Sequence, residues 1–116
     1  MSDNSYPVRR IGAVVGLRPD AVEEYCRLHA QAWPEVLAAN RQAGITNYSI
    51  FLLREHNLLF AYQEYRGEER AADRAKLAAN PVMQEWWRLC RPLQMPIAKT
   101  SDARRWVDMD LIFHQP

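Results

Sequence analysis

The apolar residues of this chain change their spacing several times, and the resulting order of elements is what most constrains the fold. Alternating apolar residues predict strands at Val8–Leu17, Ile45–Arg54, Leu58–Arg66 and Arg104–His114. Helical spacing occupies the first and third of the three intervals between them, and a short hairpin turn joins the second and third strands. Pro34 breaks the first helical segment, and Pro81 starts a new helix in the second. This order predicts an α+β, ferredoxin-like fold with a four-stranded antiparallel sheet and helices on one face.

Such a sheet leaves its other face uncovered, and a second copy of the chain is the usual cover. We therefore expect a homodimer whose sheets pack face to face as a dimeric α+β barrel. The 116 residues suffice for one domain, which we place at 8–116 after a flexible N-terminal tail at 1–7. A loop is expected at 99–103.

Charge and hydropathy exclude several classes of partner. The formal net charge is +1 and the basic residues are scattered, so we expect no binding of nucleic acid. No run of about 18 apolar residues predicts a membrane span, and the polar start of the chain does not have the pattern of a signal peptide. These features predict a cytoplasmic protein.

The cysteines and histidines do not form a metal-binding motif. Cys26 and Cys90 fall in separate apolar helical patterns, which favours two reduced, buried thiols. Together with His29, His56 and His114 they are too dispersed for ligand spacing, so we predict no metal site.

Three side chains at intervals of four residues stand out in the first helical segment. Tyr25, His29 and Trp33 would stack along one stripe of a helix, where a structural helix would carry aliphatic residues. An imidazole titrates near neutral pH, so this stripe favours proton transfer to a small polyhydroxylated ligand. The alternative is a histidine that serves only the core.

Two further aromatic positions are candidates for the same pocket. Tyr48, predicted to share a strand face with Thr46 and Ile50, could either line the pocket or pack in the core. Trp86 and Trp87 lie about 100° apart on a helix, so we expect one to wall the pocket while the other packs. Both could equally be core residues.

Taken together, these residues resemble the L-rhamnose mutarotase family. The resemblance rests on motifs in one register: Y-x3-H-x3-W-P-E from Tyr25, N-Y-S-I from Asn47, N-L-L-F-A from Asn57, the pair Trp86-Trp87, and Met95-Pro96. It extends from about Pro7 to the C-terminus. Two departures are Ala30-Gln31 after the histidine and the segment after Met95-Pro96, and both could alter which sugar fits.

The resemblance implies a dimeric α+β barrel and an isomerase that interconverts the α and β anomers of L-rhamnose, or a related 6-deoxy sugar, without a cofactor. It implies that His29 is the catalytic proton donor. It also implies that Tyr25, Tyr48, Trp86 and Trp87 bind the sugar. Two other functions fit the same barrel: a cofactor-independent monooxygenase or haem-degrading enzyme, and a non-catalytic binding module.

Overall fold

The computed structural model describes residues 7–97 and 105–116. Residues 1–6 of the expected tail and the loop expected at 99–103 lie outside the described residues. The elements run in the order β1 (Arg9–Leu17), α1 (Val22–Ala30), α2 (Pro34–Gln42), β2 (Ile45–Leu53), β3 (Leu58–Tyr65), α3 (Arg70–Ala79), α4 (Pro81–Cys90), β4 (Gln94–Met95) and β5 (Val107–Met109). Short 3-10 turns lie at Pro19–Ala21, Arg54–His56 and Arg91–Leu93.

The strands form one antiparallel sheet in the order β2-β3-β1-β4, with β5 also paired to β1. The short strands β4 and β5 share one edge of β1, since β4 pairs with Gly16 and Leu17 and β5 pairs with Gly12 to Val14. The sheet is therefore four strands wide, and the predicted α+β, ferredoxin-like class is confirmed. The last strand is shorter than predicted, because the chain pairs with β1 only at Val107–Met109.

The break in the first helical segment falls where proline requires it. Helix α1 ends at Ala30, and Pro34 occupies the first turn of α2. Trp33 precedes α2 in an extended conformation, with φ −69° and ψ 135°. The expectation that Trp33 continues the α1 stripe is thus wrong, because Pro34 offers no N–H to the preceding turn and disfavours a helical residue before it.

The hydrophobic core lies between the sheet and the helices. Val15, Leu17, Leu59 and Met83 are fully buried there, and Ala21, Tyr25, Val36, Ala39, Ala43, Ile45, Leu77, Trp86 and Cys90 complete the cluster. Alternate residues of β1 point to this core, which fits the spacing of two in the sequence. The sheet is thereby fixed with one face towards the helices.

Cys26 is exposed, whereas Cys90 is buried, so the prediction of two buried thiols is wrong for Cys26. Tyr25 is the buried residue of α1, and Cys26 lies about 100° further round the helix, towards solvent. Within the described ranges, no helix has the length and apolar character needed to cross a membrane.

Candidate active site

A cavity of about 430 Å³ lies between the sheet and helices α2, α3 and α4. Helix α3 borders it with Ala71, Ala75 and Ala78, one stripe of short side chains that leaves the space open. The volume is within the range of small-molecule pockets, about 300–1,000 Å³. These alanines leave room that longer side chains would fill, and Arg70, Arg74 and Leu77 of the same helix also border the cavity.

A β-bulge in β2 brings Tyr48 to the cavity. Thr46 pairs with Glu64 and Ser49 pairs with Tyr62, so β2 carries one extra residue over this stretch. Asn47 takes the left-handed conformation at φ 49°, and its Nδ2 donates to Glu64 Oε2 over 2.9 Å. One extra residue reverses the alternation of side chains.

As a result, Ile45 and Tyr48 both border the cavity, although an unbroken strand would put them on opposite faces. The prediction that Tyr48 shares a face with Thr46 is therefore wrong. Tyr48 is 42% exposed, and the desolvation of its hydroxyl raises the pKa of the phenol. The hydroxyl remains protonated at neutral pH and can donate a hydrogen bond.

Both tryptophans of α4 border the cavity. Trp86 is buried, and Trp87 is half-buried with the guanidinium carbon of Arg91 4.8 Å from its ring centre. This cation–π contact fixes the outer indole one turn before the arginine. The sequence predicted that one indole lines the pocket while the other packs. In the structure both indoles border the cavity.

Charged and amide side chains supply hydrogen-bonding groups around the cavity. Arg70 pairs with Asp108 at 3.6 Å, and Arg105 Nη1 donates to the backbone oxygen of Gln94 over 3.0 Å. Asn40 and Gln63 also border the space. An apolar pocket with these polar groups suits a ligand that carries several hydroxyls on a hydrophobic ring.

Tyr25, His29 and Trp33 form a ring cluster against Trp86, beside the cavity. The His29 ring stacks on Tyr25 with centres 4.3 Å apart and meets Trp86 edge-on at 5.1 Å. Trp33 also meets Trp86 edge-on, at 5.2 Å. The cavity lining includes Tyr48, Trp86 and Trp87 but not these three side chains, so Trp86 is the ring common to both groups.

His29 is held in one tautomer. Its Nδ1 lies 2.9 Å from the backbone oxygen of Tyr25, which can only accept, so Nδ1 carries the hydrogen. Burial lowers the pKa of His29 below its ordinary value of 6.5, and the bond to Tyr25 opposes this only in part. The imidazole is therefore neutral at pH 7, with an unprotonated Nε2.

The Nε2 atom of His29 is not fully buried. It has no hydrogen-bond partner among the described residues, and no buried side-chain nitrogen or oxygen of those residues lacks a partner. An unpartnered Nε2 must therefore have accessible surface. This nitrogen is suited to accept a proton from a bound hydroxyl.

Gln94 connects the ring cluster to the cavity. Its Nε2 donates to Tyr25 Oη over 3.1 Å, and its side chain borders the cavity. Burial raises the pKa of Tyr25, although the bond from Gln94 opposes the rise. The sequence did not single out Gln94, because the register of a two-residue strand depends on tertiary pairing.

The described residues contain no group of three His, Cys, Asp or Glu side chains placed to hold a metal ion. Burial raises the pKa of Cys90 to about 12, so this core thiol remains protonated and unreactive.

Comparison with known proteins places this arrangement in a family. The family model of L-rhamnose mutarotase matches residues 10–115. An L-rhamnose mutarotase of Escherichia coli is 44% identical over 103 residues, covering 89% of this chain and 94% of that protein. An Oceanobacillus iheyensis L-rhamnose mutarotase is 33% identical over 107 residues, covering 92% and 98%. The crystal structure of L-rhamnose mutarotase from Formosa agariphila superposes with a TM-score of 0.74 at 25% identity, covering 93% of this chain and 99% of that one.

Proposed function

We propose that this chain, a sugar mutarotase of the L-rhamnose mutarotase family, transfers protons through His29. The reaction is the exchange of the anomers of L-rhamnose or a related 6-deoxy aldose. The observation that carries the proposal is the state of the imidazole. Its Nδ1 donates a hydrogen bond to the Tyr25 carbonyl, and its accessible Nε2 is unprotonated at neutral pH. Such a group can accept a proton and return it.

The proton balance of anomer exchange fits one group of this kind. His29 Nε2 accepts the proton of the anomeric hydroxyl, and the resulting imidazolium donates a proton to the ring oxygen as the bond between C1 and that oxygen breaks. The open aldehyde rotates about its C1–C2 bond and recloses by the reverse steps. Both oxygens are bonded to C1, so one imidazole can serve them in turn.

The tyrosines act as hydrogen-bond donors in this mechanism rather than as bases. The pKa values of Tyr25 and Tyr48 are both raised, mainly by desolvation of their hydroxyls, so neither phenol ionises at neutral pH. Trp86 and Trp87 offer apolar surface to the C–H face and the methyl group of a 6-deoxy sugar. The polar groups across the cavity would bind the ring hydroxyls.

Saturation-transfer NMR on the anomeric protons of L-rhamnose tests the proposal. We expect wild-type protein to increase the exchange rate in proportion to its concentration. L-mannose carries a hydroxyl on C6, where L-rhamnose has a methyl group. It should exchange less efficiently, because that hydroxyl loses its hydration beside the indoles. Binding of L-rhamnose without faster exchange would instead support a non-catalytic binding module.

We also propose that the protein is a homodimer through the sheet face opposite the helices. That side of the sheet and its edge expose large apolar side chains, including Phe51 (64% exposed), Leu53 (41%), Met95 (45%) and Met109 (42%). Monomeric proteins rarely expose so many together, and a second copy would bury them. Light scattering after size exclusion should give twice the 13.5 kDa mass of the chain.

Free thiols support the proposed cytoplasmic location. Cys26 and Cys90 are both unpaired in the structure, and reducing compartments preserve that state. Fractionation of cells that express the protein should recover it with cytoplasmic markers, and recovery with an extracytoplasmic fraction would contradict the proposal.

A further inference from the structure

We propose that Gln94 is a further sugar-binding residue. Its side-chain oxygen accepts a hydrogen bond from a hydroxyl of the sugar, and its amide nitrogen positions Tyr25. This inference rests on the proposed function and assigns one more group to the same site. It follows from the burial of Gln94, from its one side-chain bond and from its place on the cavity.

The burial of Gln94 is exceptional in this protein. With 5% of its surface exposed, it is the only polar or charged residue in the buried core of residues 7–97 and 105–116. Burying a carboxamide is unfavourable unless both its halves find partners. We therefore expect both the amide nitrogen and the amide oxygen of Gln94 to have a hydrogen-bond partner.

Only half of the amide is used within the described chain. Nε2 donates to Tyr25 Oη over 3.1 Å, whereas Oε1 has no partner among the described residues. Since none of their buried side-chain oxygens lacks a partner, Oε1 must have accessible surface. Gln94 borders the cavity, which is where a ligand would meet this acceptor.

The backbone holds this amide in place. Gln94 pairs with Leu17 of β1, and Leu93 accepts from the backbone N–H of Arg18 over 2.9 Å. The backbone oxygen of Gln94 accepts from Arg105 Nη1 over 3.0 Å. A side chain on so constrained a backbone can bind a ligand without a large loss of freedom.

The bond from Gln94 also determines what Tyr25 does. The phenol oxygen of Tyr25 accepts a hydrogen bond from Nε2 of Gln94. The hydroxyl hydrogen of Tyr25 therefore points elsewhere and remains available for donation. A sugar hydroxyl on Gln94 Oε1 would thus lie near the donor of Tyr25. Gln94 is a binding residue for the sugar and a positioning residue for the phenol.

Two substitutions test the inference by anomer exchange of L-rhamnose. Gln94→Met keeps the length of the side chain and removes both amide groups, so we expect KM to rise about tenfold, the loss of one hydrogen bond, with a smaller change in kcat. Gln42→Met, at an exposed glutamine in α2, is the matched control and should leave both constants unchanged.

Gln94→Glu separates a positioning role from packing. The ionised carboxylate would accept the Tyr25 hydroxyl and divert its hydrogen, whereas the protonated carboxyl can donate to the phenol oxygen as the amide does. The kcat/KM of this variant, relative to wild type, should therefore rise as the pH falls through the pKa of the carboxyl. A purely structural residue would give a ratio that does not change with pH.

The outcomes are distinct from those for the proposed function. Wild-type protein that fails to accelerate exchange contradicts the proposed function. An active wild type with a folded Gln94→Met variant of unchanged KM overturns the role of Gln94 alone. If Gln94→Met does not fold, the pH dependence of the Gln94→Glu ratio decides, and a flat ratio overturns the inference.

Discussion

Replacing His29 by glutamine should nearly abolish anomer exchange while leaving the protein folded. A glutamine amide can donate to the Tyr25 carbonyl, as Nδ1 does, but it cannot carry a proton between two oxygens. Positioned acid–base catalysis contributes roughly 10²–10⁴-fold, and the exchange rate should fall by that factor. Saturation-transfer NMR on L-rhamnose measures the rate directly.

The cost in stability follows from the two ring contacts of His29. Stacking on Tyr25 at 4.3 Å and the edge contact with Trp86 at 5.1 Å are both lost. At about 0.5–1.5 kcal/mol for each such contact, the free energy of unfolding should fall by about 1–3 kcal/mol. The melting temperature would then fall by roughly 4–12 °C, which circular dichroism can record.

The control is the same substitution at His56, an exposed residue of the 3-10 turn between β2 and β3. His56→Gln should keep both the exchange rate and the melting temperature. A folded His29→Gln variant that exchanges anomers within about threefold of wild type would refute the assignment, since such a loss is below the acid–base range.

Four further outcomes concern the titration of His29, the bulge at Asn47 and the exposed face of the sheet. Because protonated His29 cannot accept a proton and its pKa lies below 6.5, kcat/KM for L-rhamnose should fall only as the pH drops below 6.5. Stability measured by urea unfolding should fall over the same window, since the unfolded chain binds that proton more readily. Asn47→Val, at φ 49°, should cost about 1–2 kcal/mol in urea unfolding and reduce exchange through Tyr48, whereas Asn47→Gly keeps the bulge and most activity. Phe51→Asp should give a monomer by light scattering, and a retained dimer would exclude that face as the interface.

The order of elements could be predicted because the spacing of apolar residues reports it directly. The alternation in β1, the hairpin and the break at Pro34 all match the structure to within a few residues. Each depends on local chemistry: branched residues in strands, and a proline that cannot continue a helix. The length of the last strand could not be predicted, because pairing with β1 at only three positions determines where β5 ends.

The placement of Tyr48 could not be predicted from spacing. A bulge adds one residue without a recognisable period, and Asn47 is compatible with either an extended or a left-handed backbone. The pairing of β2 with β3 decides between them. Aromatic composition identified the residue, whereas its direction depends on tertiary structure.

Gln94 and the tautomer of His29 also depend on tertiary contacts. A glutamine in the short segment between Pro92 and Pro96 has no pattern that marks it as buried. The lowered pKa of His29 reflects burial that arises only when α1 and α4 pack together. The sequence could name the imidazole, but only the fold determines which nitrogen holds the hydrogen.

Nitrogen-15 NMR of the histidine side chains measures that state directly, with His56→Gln and His114→Gln variants to assign the signals. At pH 7 we expect a neutral His29 with a protonated Nδ1 and an unprotonated Nε2 whose signal shifts when L-rhamnose is added. An imidazolium at pH 7, or a hydrogen on Nε2 in the neutral ring, would contradict proton transfer at this nitrogen.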